Sequence, residues 1–248
     1  MENENLKTEN NKDYLLPASI VIAALLIAGA WIYTAGLKNI EPKKSSQELG
    51  KIAPNIENVK LVSADDHIFG NPNAEIKIIE FSDMECPFCK RFHATMKQVI
   101  NEYGDKVAWI YRHFPLEQLH PQAKKSAIAS ECATEIGGNN AFWRYLDEYV
   151  DLEEIVSEAS FSQIAENIGL NRNQFKTCLN SDKFNDKIDS YIQDAANSGA
   201  QGTPYSVIIN KNNKKTSING ALPFEDFKDQ YGETQKGVKS LIEEALLN

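Results

Sequence analysis

The sequence has few cysteines and no long basic block. Four cysteines among 248 residues are too few for a disulfide scaffold, so they act as one or two specific pairs or as a metal site. The 26 Lys and Arg against 35 Asp and Glu give a net charge of −9, which argues against nonspecific nucleic-acid binding. With 42% apolar and 25% charged residues, the composition is that of a globular protein.

One segment departs from this composition: residues 14–37 form a run of 24 residues without a charge. As a helix rising about 1.5 Å per residue it would span about 36 Å, enough to cross a hydrocarbon layer of roughly 30 Å. A cleaved signal peptide is the alternative, because the small residues at 28–30 resemble a cleavage site. Its apolar region, however, normally has only about 7 to 15 residues. We therefore expect a single transmembrane anchor at 14–37, between an N-terminal tail at 1–13 and a polar tether at 38–65.

The folded unit is expected at 66–248, and it opens with a β-α-β pattern. Residues 76–81 are apolar and β-branched, which predicts a buried strand after a turn at 70–73. Apolar residues then recur at helical spacing over 88–100, which predicts a helix. A second strand is predicted at 107–114.

A helical block then interrupts the strands, from about 118 to 198. Its helices are predicted at 122–136, 141–150, 161–168, 174–179 and 183–197. Strands follow at 205–209 and 216–218, with a return to helix from Phe224 onward. The order favours an α/β fold, in which a short mixed sheet is covered by helices and carries the helical block as an insertion.

The motif Cys86-Pro87-Phe88-Cys89 lies where the first predicted strand gives way to the helix. Only a thiolate attacks a disulfide, and the N–H groups and dipole at a helix N-terminus favour the thiolate. Cys86 has that position at the exposed start of the helix, and Pro87 suits a first turn because its missing N–H is no loss there. Cys89, one turn further and facing inward, is placed to resolve a mixed disulfide at Cys86. The pair therefore indicates thiol-disulfide exchange.

Three other uses of the pair stay open at this point. Zinc could bind it together with His93 and a ligand such as His67, but structural zinc usually has a second paired knuckle, and the sequence has no second CxxC. Haem attachment requires a histidine where Lys90 stands. A structural disulfide would close too short a loop to add much stability. The strand-then-helix context favours the redox use, with no metal and no cofactor beyond the Cys86-Cys89 disulfide.

Two further motifs complete a resemblance: Gly202-Thr203-Pro204 before a strand, and Ala141-Phe142-Trp143 in the helical block. With them the domain resembles the DsbA-type thiol-disulfide oxidoreductases, which have a thioredoxin-like fold with a helical insertion and include membrane-anchored members. The resemblance implies that Pro204 is a cis-proline facing the cysteine pair and that the backbone of Thr203 binds a client peptide as an added strand. It also implies a buried acid at Glu80 behind the second cysteine. From the residue alone, a place on a solvated strand edge is equally open.

The function implied by this resemblance is that of an enzyme, a protein thiol:disulfide oxidoreductase that donates the Cys86-Cys89 disulfide to folding client proteins. Its catalytic domain would lie on the extracytoplasmic side of the cell membrane, and a membrane quinone-linked partner would reoxidise it. Phe88 departs from the family, since it replaces a histidine that helps to stabilise the thiolate. Thr203 is shared with isomerase and reductase relatives, so a reductase or isomerase of the same fold is one alternative. A noncatalytic peptide-binding holdase is another.

The remaining cysteines, Cys132 and Cys178, lie in predicted helices of the inserted block. In an oxidising compartment free thiols tend to pair, which favours a structural disulfide between them. Some members of the family carry a second pair there. Two unpaired buried thiols are the alternative.

Overall fold

The structure, a computed structural model, describes residues 55–152 and 157–248. The predicted tail at 1–13 and anchor at 14–37 lie outside the described residues. Among the residues that are described, no helix is both long and apolar enough to cross a membrane.

A mixed sheet with the strand order β1-β3-β2-β4-β5 forms the centre of the domain. Its strands are β1 (His67–Gly70), β2 (Ile76–Ser82), β3 (Val107–His113), β4 (Tyr205–Ile209) and β5 (Lys215–Asn219). β2 and β3 run parallel, while every other neighbouring pair in this sheet is antiparallel. The four predicted strands are present, and the structure adds β1, which the sequence pattern does not indicate because it has only 4 residues and leads directly into a turn.

Helices cover the sheet: α1 (Pro87–Tyr103), α2 (Ala123–Val150), α3 (Glu158–Asn167), α4 (Arg172–Leu179), α5 (Asn185–Asn197) and α6 (Val238–Leu247). α1 connects the parallel strands β2 and β3, and α2 to α5 form the predicted helical block between β3 and β4. Gly138 interrupts α2 with a φ of 74°, a conformation that glycine adopts readily. This is the break that the sequence predicts between helices at 122–136 and 141–150.

The predicted helix from Phe224 onward is wrong. The chain instead forms a short hairpin of β6 (Phe227–Lys228) and β7 (Thr234–Gln235), and the helix begins only at Val238. The side chain of Asp229 accepts hydrogen bonds from two backbone N–H groups in the turn of this hairpin. An aspartate that bonds the backbone in this way offers an alternative to helix.

The described structure also differs from the domain boundary predicted at residue 66, because residues 55–65 pack on the domain. The N–H of Lys60 donates to the carboxylate of Asp194 at 2.9 Å. The same carboxylate binds the buried Arg112 at 2.6 Å. These contacts join polar groups that are distant in the sequence, so the local pattern that predicted a tether carries no sign of them.

Apolar side chains cover both faces of the sheet. Ile76 and Ile78 face the larger core, which includes residues of α1 and of the helical block. Ile79 and Phe81 face the other core. Because side chains alternate between the two faces of a strand, Glu80 lies on the same face as Ile76 and Ile78.

Candidate active site

The redox motif begins just after β2 ends. Cys86 is the N-cap of α1, and Pro87 is its first residue. A tight turn joins strand to helix: the N–H of Cys86 donates to the carbonyl of Asp83 at 3.1 Å, and the carboxylate of Asp83 accepts the N–H of Glu85 at 2.9 Å. The local fold thereby puts the first cysteine at the positive end of a 17-residue helix.

The two thiols are both largely covered by the protein. Cys86 is 4% exposed and Cys89 is 3% exposed, so the expectation that Cys86 lies at an exposed helix start is wrong. The exposed side chain of the motif is Phe88, at 54%. The Sγ of Cys86 lies 3.6 Å from the carbonyl oxygen of Thr203, and the Sγ of Cys89 accepts the N–H of Asp83 at 3.5 Å.

The surroundings of the two sulfurs shift their pKa values in opposite directions. A hydrogen bond from the Cys89 thiol, together with backbone N–H groups and against the effect of burial, lowers the pKa of Cys86 to about 5. Burial, the adjacent Cys86 sulfur and the charge of Glu80 raise the pKa of Cys89 well above its usual value. At neutral pH the first sulfur is therefore a thiolate and the second a thiol, which is the division that attack and resolution require.

Glu80 lies buried at 1% exposure in the central strand β2. Its carboxylate accepts a hydrogen bond from Nε1 of Trp109 at 2.8 Å. Burial raises the pKa of Glu80 to about 7, although hydrogen bonds to Ser82 and Trp109 act against this. Of the two positions left open by the sequence, the structure has the buried one rather than the solvated strand edge.

The Thr203-Pro204 peptide bond is cis, as the resemblance implies. The carbonyl of Thr203 is the group that approaches Cys86. The hydroxyl of Thr203 is buried and has no hydrogen-bond partner among the described residues. The loop before β4 is thus brought directly against the first cysteine.

Comparison with known proteins agrees with this geometry. Residues 63–230 match the family model described as Thioredoxin. The chain belongs to the thioredoxin family. Among solved structures, Wolbachia pipientis alpha-DsbA1 is similar with a TM-score of 0.61 and 22% identity, over 77% of this chain and 96% of that one. Pseudomonas aeruginosa DsbA2 has a TM-score of 0.55 and 24% identity, over 75% of this chain and 95% of that one. This thioredoxin-family chain therefore has the fold of the DsbA-type thiol-disulfide oxidoreductases.

Curated relatives of this chain are named as Na(+)/H(+) antiporters rather than as thiol-disulfide oxidoreductases. Na(+)/H(+) antiporter NhaA 1 of Mycolicibacterium gilvum is 30% identical over 151 residues, which is 60% of this chain and 24% of the antiporter. NhaA 3 of Salinispora tropica is 30% identical over 139 residues, or 56% of this chain and 21% of that protein. The chain thus spans about a quarter of the length of these relatives, and its assignment rests on the thioredoxin-family match.

The second cysteine pair of the thioredoxin-family domain joins two helices of the insertion. A disulfide links Cys132 of α2 to Cys178 of α4, with their Cα atoms 5.7 Å apart. The two histidines considered as zinc ligands have other partners. Nε2 of His93 is 2.8 Å from Asp147, and Nε2 of His67 is 2.9 Å from Glu131.

His67 belongs to a separate buried cluster with His113 and Glu131. One ligand-type atom from each lies within 4.8 Å of the others. The ammonium of Lys187 is 2.8 Å from the second carboxylate oxygen of Glu131 and supplies a positive charge there. Burial opposes ionisation of Glu131, but the imidazoles of His67 and His113 outweigh it and hold its pKa well below the usual value. Through Glu131, which forms an ion pair with Lys187 and contacts the imidazoles of His67 and His113, the cluster joins β1, β3, α2 and α5.

Two residues near the active site have roles that the sequence pattern does not predict. Asp83 organises the turn before Cys86 and also binds Nδ1 of His120 at 2.8 Å. Trp109 supplies the hydrogen bond to Glu80. An aspartate directly after a strand and before a CxxC motif is a usable signal for a turn. No local pattern marks Trp109, because it comes from the neighbouring strand.

Proposed function

We propose that this protein is a membrane-anchored, extracytoplasmic thiol-disulfide oxidoreductase that introduces disulfides into client proteins through Cys86 and Cys89. The position of Cys86 carries the proposal, since its sulfur lies at the N-cap of α1 and its pKa is lowered to about 5. A stabilised thiolate favours the dithiol over the disulfide, so the oxidised pair readily passes its disulfide on. This supports an oxidase over a reductase.

The reaction consists of two exchange steps. A client thiolate attacks the Sγ of Cys86, the Cys86-Cys89 bond breaks, and Cys89 leaves as a thiolate that takes up a proton. A second client thiolate then attacks the client sulfur of the mixed disulfide, and Cys86 leaves as a thiolate. The client loses two electrons and the enzyme gains them. Glu80, with a pKa of about 7, is suited to give Cys89 its proton near neutral pH.

Thr203 and Pro204 are the proposed client-binding residues. Because the carbonyl of Thr203 is 3.6 Å from the sulfur of Cys86, an extended client segment that reaches this sulfur passes the backbone of Thr203. Such a segment can bond to main-chain groups as an added strand. Phe88 adds an exposed apolar contact beside Arg91, whose guanidinium lies 5.0 Å from the ring centroid.

The anchor is supported by the uncharged run at 14–37, whose length exceeds that of a signal-peptide core. Anchoring would keep the domain close to a quinone-linked membrane partner that restores the Cys86-Cys89 disulfide. A membrane-impermeant thiol reagent should label Cys86 in intact cells after mild reduction. Recovery of the protein solely in a soluble fraction, beginning near Trp31, would contradict the anchor.

Two cysteine variants test the chemistry. Incubated with a peptide that carries a disulfide, Cys89→Ala should accumulate a covalent adduct through Cys86, because the resolving thiol is gone. Cys86→Ala should form no adduct. A holdase would keep its client binding and its function in Cys86→Ala, whereas an oxidoreductase loses its function. If neither variant forms an adduct on a nonreducing gel, the proposal is wrong, and an adduct through Cys89 would reverse the assigned roles.

A further inference from the structure

A small cavity lies behind Cys89, and its wall includes Glu80, His93 and Tyr111. It offers about 10 Å³ to the centre of a water molecule, close to the roughly 10–15 Å³ that one water needs. Nδ1 of His93 and the hydroxyl of Tyr111 are buried and have no hydrogen-bond partner among the described residues. Since buried polar atoms are nearly always bonded to protein or to ordered water, one water in this cavity would complete their hydrogen bonds.

The other ring nitrogen of His93 is bonded to a side chain that is partly exposed to solvent. Nε2 lies 2.8 Å from Oδ1 of Asp147, whose side chain is 39% exposed. The second oxygen of Asp147 accepts a hydrogen bond from Lys97 at 2.8 Å. The buried imidazole therefore stands between the cavity shared by Glu80 and Cys89 and a carboxylate that solvent reaches.

We propose that His93 and Asp147 carry protons between solvent and Glu80, so that Glu80 can exchange a proton with Cys89 in every cycle. The proposal rests on the proposed function, in which Cys89 gains a proton when it leaves and loses one when it attacks. Glu80 is 1% exposed, so its carboxyl needs such a route. An imidazole suits it because it can take a proton at one nitrogen and release one at the other.

When Cys89 leaves the disulfide as a thiolate, it takes a proton from the carboxyl of Glu80. The resulting carboxylate takes one from the cavity water, and this water takes one from Nδ1 of His93. The ring of His93, which starts this step protonated at Nδ1 only, takes a proton from solvent at Nε2 beside Asp147 and ends as the tautomer whose Nε2–H donates to Asp147. The net change is one proton moved from solvent to Cys89, and attack by the Cys89 thiol on a mixed disulfide reverses each transfer.

Other titratable groups face the same cavity. Burial raises the pKa of Tyr111 well above its usual value, so this phenol keeps its proton near neutral pH. Lys90 also lines the cavity, and its ammonium donates to the carbonyl of Leu152 at 3.1 Å. Asp83 lines it as well, but its carboxylate is bonded to His120 and to backbone N–H groups. Lys90 is thus the competing carrier that an experiment must separate from His93.

The test uses the aromatic disulfide 5,5′-dithiobis(2-nitrobenzoate). Attack by Cys86 releases one coloured thiolate, and attack by Cys89 on the mixed disulfide releases a second. Only the second step requires Cys89 to lose a proton. In His93→Gln the amide of the new side chain can still donate a hydrogen bond to Asp147, but it cannot take up a proton at one atom and release one at another. We expect it to leave the first release unchanged and to slow the second at least about tenfold, with a larger solvent isotope effect than in the wild type.

Matched variants decide the interpretation. Asp147→Asn should slow the same second release, while Lys97→Gln, which removes the other partner of Asp147 but leaves His93 in place, should match the wild type. A wild-type second release in both His93→Gln and Asp147→Asn would overturn the proposal, as would slowing by Lys90→Met alone. If His93→Gln does not fold, Asp147→Asn decides, because its site is partly exposed. A wild-type protein that never releases the second thiolate would instead contradict the proposed function.

Discussion

Glu80 and Glu131 are equally buried, each at 1% exposure, yet their pKa values are shifted in opposite directions from the usual value. Burial raises the pKa of Glu80 to about 7, and the donors that bond to its carboxylate, Ser82 and Trp109, are neutral. Burial acts on Glu131 as well, but His67 and His113 outweigh it and hold its pKa well below the usual value. Burial therefore does not by itself decide the protonation state of a carboxyl group; the charged and hydrogen-bonding groups packed beside it do.

This difference separates a structural carboxylate from one suited to chemistry. Glu131 is fixed as an anion by its imidazole neighbours and by the ammonium of Lys187 at 2.8 Å, so it holds four elements together. Glu80 can change its protonation state near neutral pH, and it lies in the wall of the cavity that Cys89 also lines. We expect changes at Glu131 to affect stability, and changes at Glu80 to affect proton transfer and the pH dependence of stability.

The largest effect is expected for Glu131→Gln. Removing one partner of a buried ion pair leaves the others uncompensated, which costs about 3 kcal/mol of unfolding free energy. Urea denaturation at pH 7 measures it. The control is Glu244→Gln, which removes an exposed ion pair with Lys236 and should cost less than about 1 kcal/mol. Equal losses of unfolding free energy in the two variants would show that the buried cluster contributes no more to stability than a surface ion pair.

Glu80→Gln should instead change how stability depends on pH. The carboxyl binds its proton more tightly in the folded protein, with a pKa of about 7 against 4.5, so wild-type stability falls as the pH rises between these values. Above pH 7 the loss approaches a limit of up to about 3 kcal/mol, and Gln, which can still accept the bond from Trp109, has no such loss. Denaturation of the oxidised protein at pH 5 and pH 8 tests this. A variant whose stability parallels the wild type at both pH values would contradict the raised pKa.

A smaller effect is expected for Lys187→Met. The side chain of Lys187 is 25% exposed, so solvent screens part of its attraction to Glu131, and we expect a loss of about 1 kcal/mol at pH 7. The loss should shrink as the pH falls and Glu131 becomes protonated. Lys124→Met, which removes a pair with the more exposed Asp189, is the control. A larger loss than for Glu131→Gln would show that the cation, rather than the carboxylate, is the centre of the cluster.

Patterns within one segment account for the parts of the fold that the sequence predicted. The strand predicted at 205–209 is β4 (Tyr205–Ile209), and the Gly137-Gly138 pair marks the break in α2. The redox motif was placed correctly at the start of α1, because a CxxC after an apolar strand is itself a local signal. The hairpin before α6 was missed, because its turn depends on side-chain bonds made by Asp229.

Contacts between distant segments account for what could not be predicted. Trp109, the hydrogen-bond partner of Glu80, is 29 residues away in β3. Glu131, which lies in α2, is 64 residues away from its partner His67. Neither glutamate has a neighbour in sequence that identifies its environment. The exposure of Cys86 was misjudged for the same reason, since the Thr203 loop that approaches it comes from the other end of the domain.

Equilibration of the purified protein with glutathione redox buffers measures whether the Cys86-Cys89 pair is an oxidant. Because the Cys86 thiolate is stabilised at a pKa of about 5, we predict a reduction potential more oxidising than about −180 mV, in the range of disulfide-donating enzymes. A value near about −270 mV, as in reducing thioredoxins, would instead make the protein a reductase.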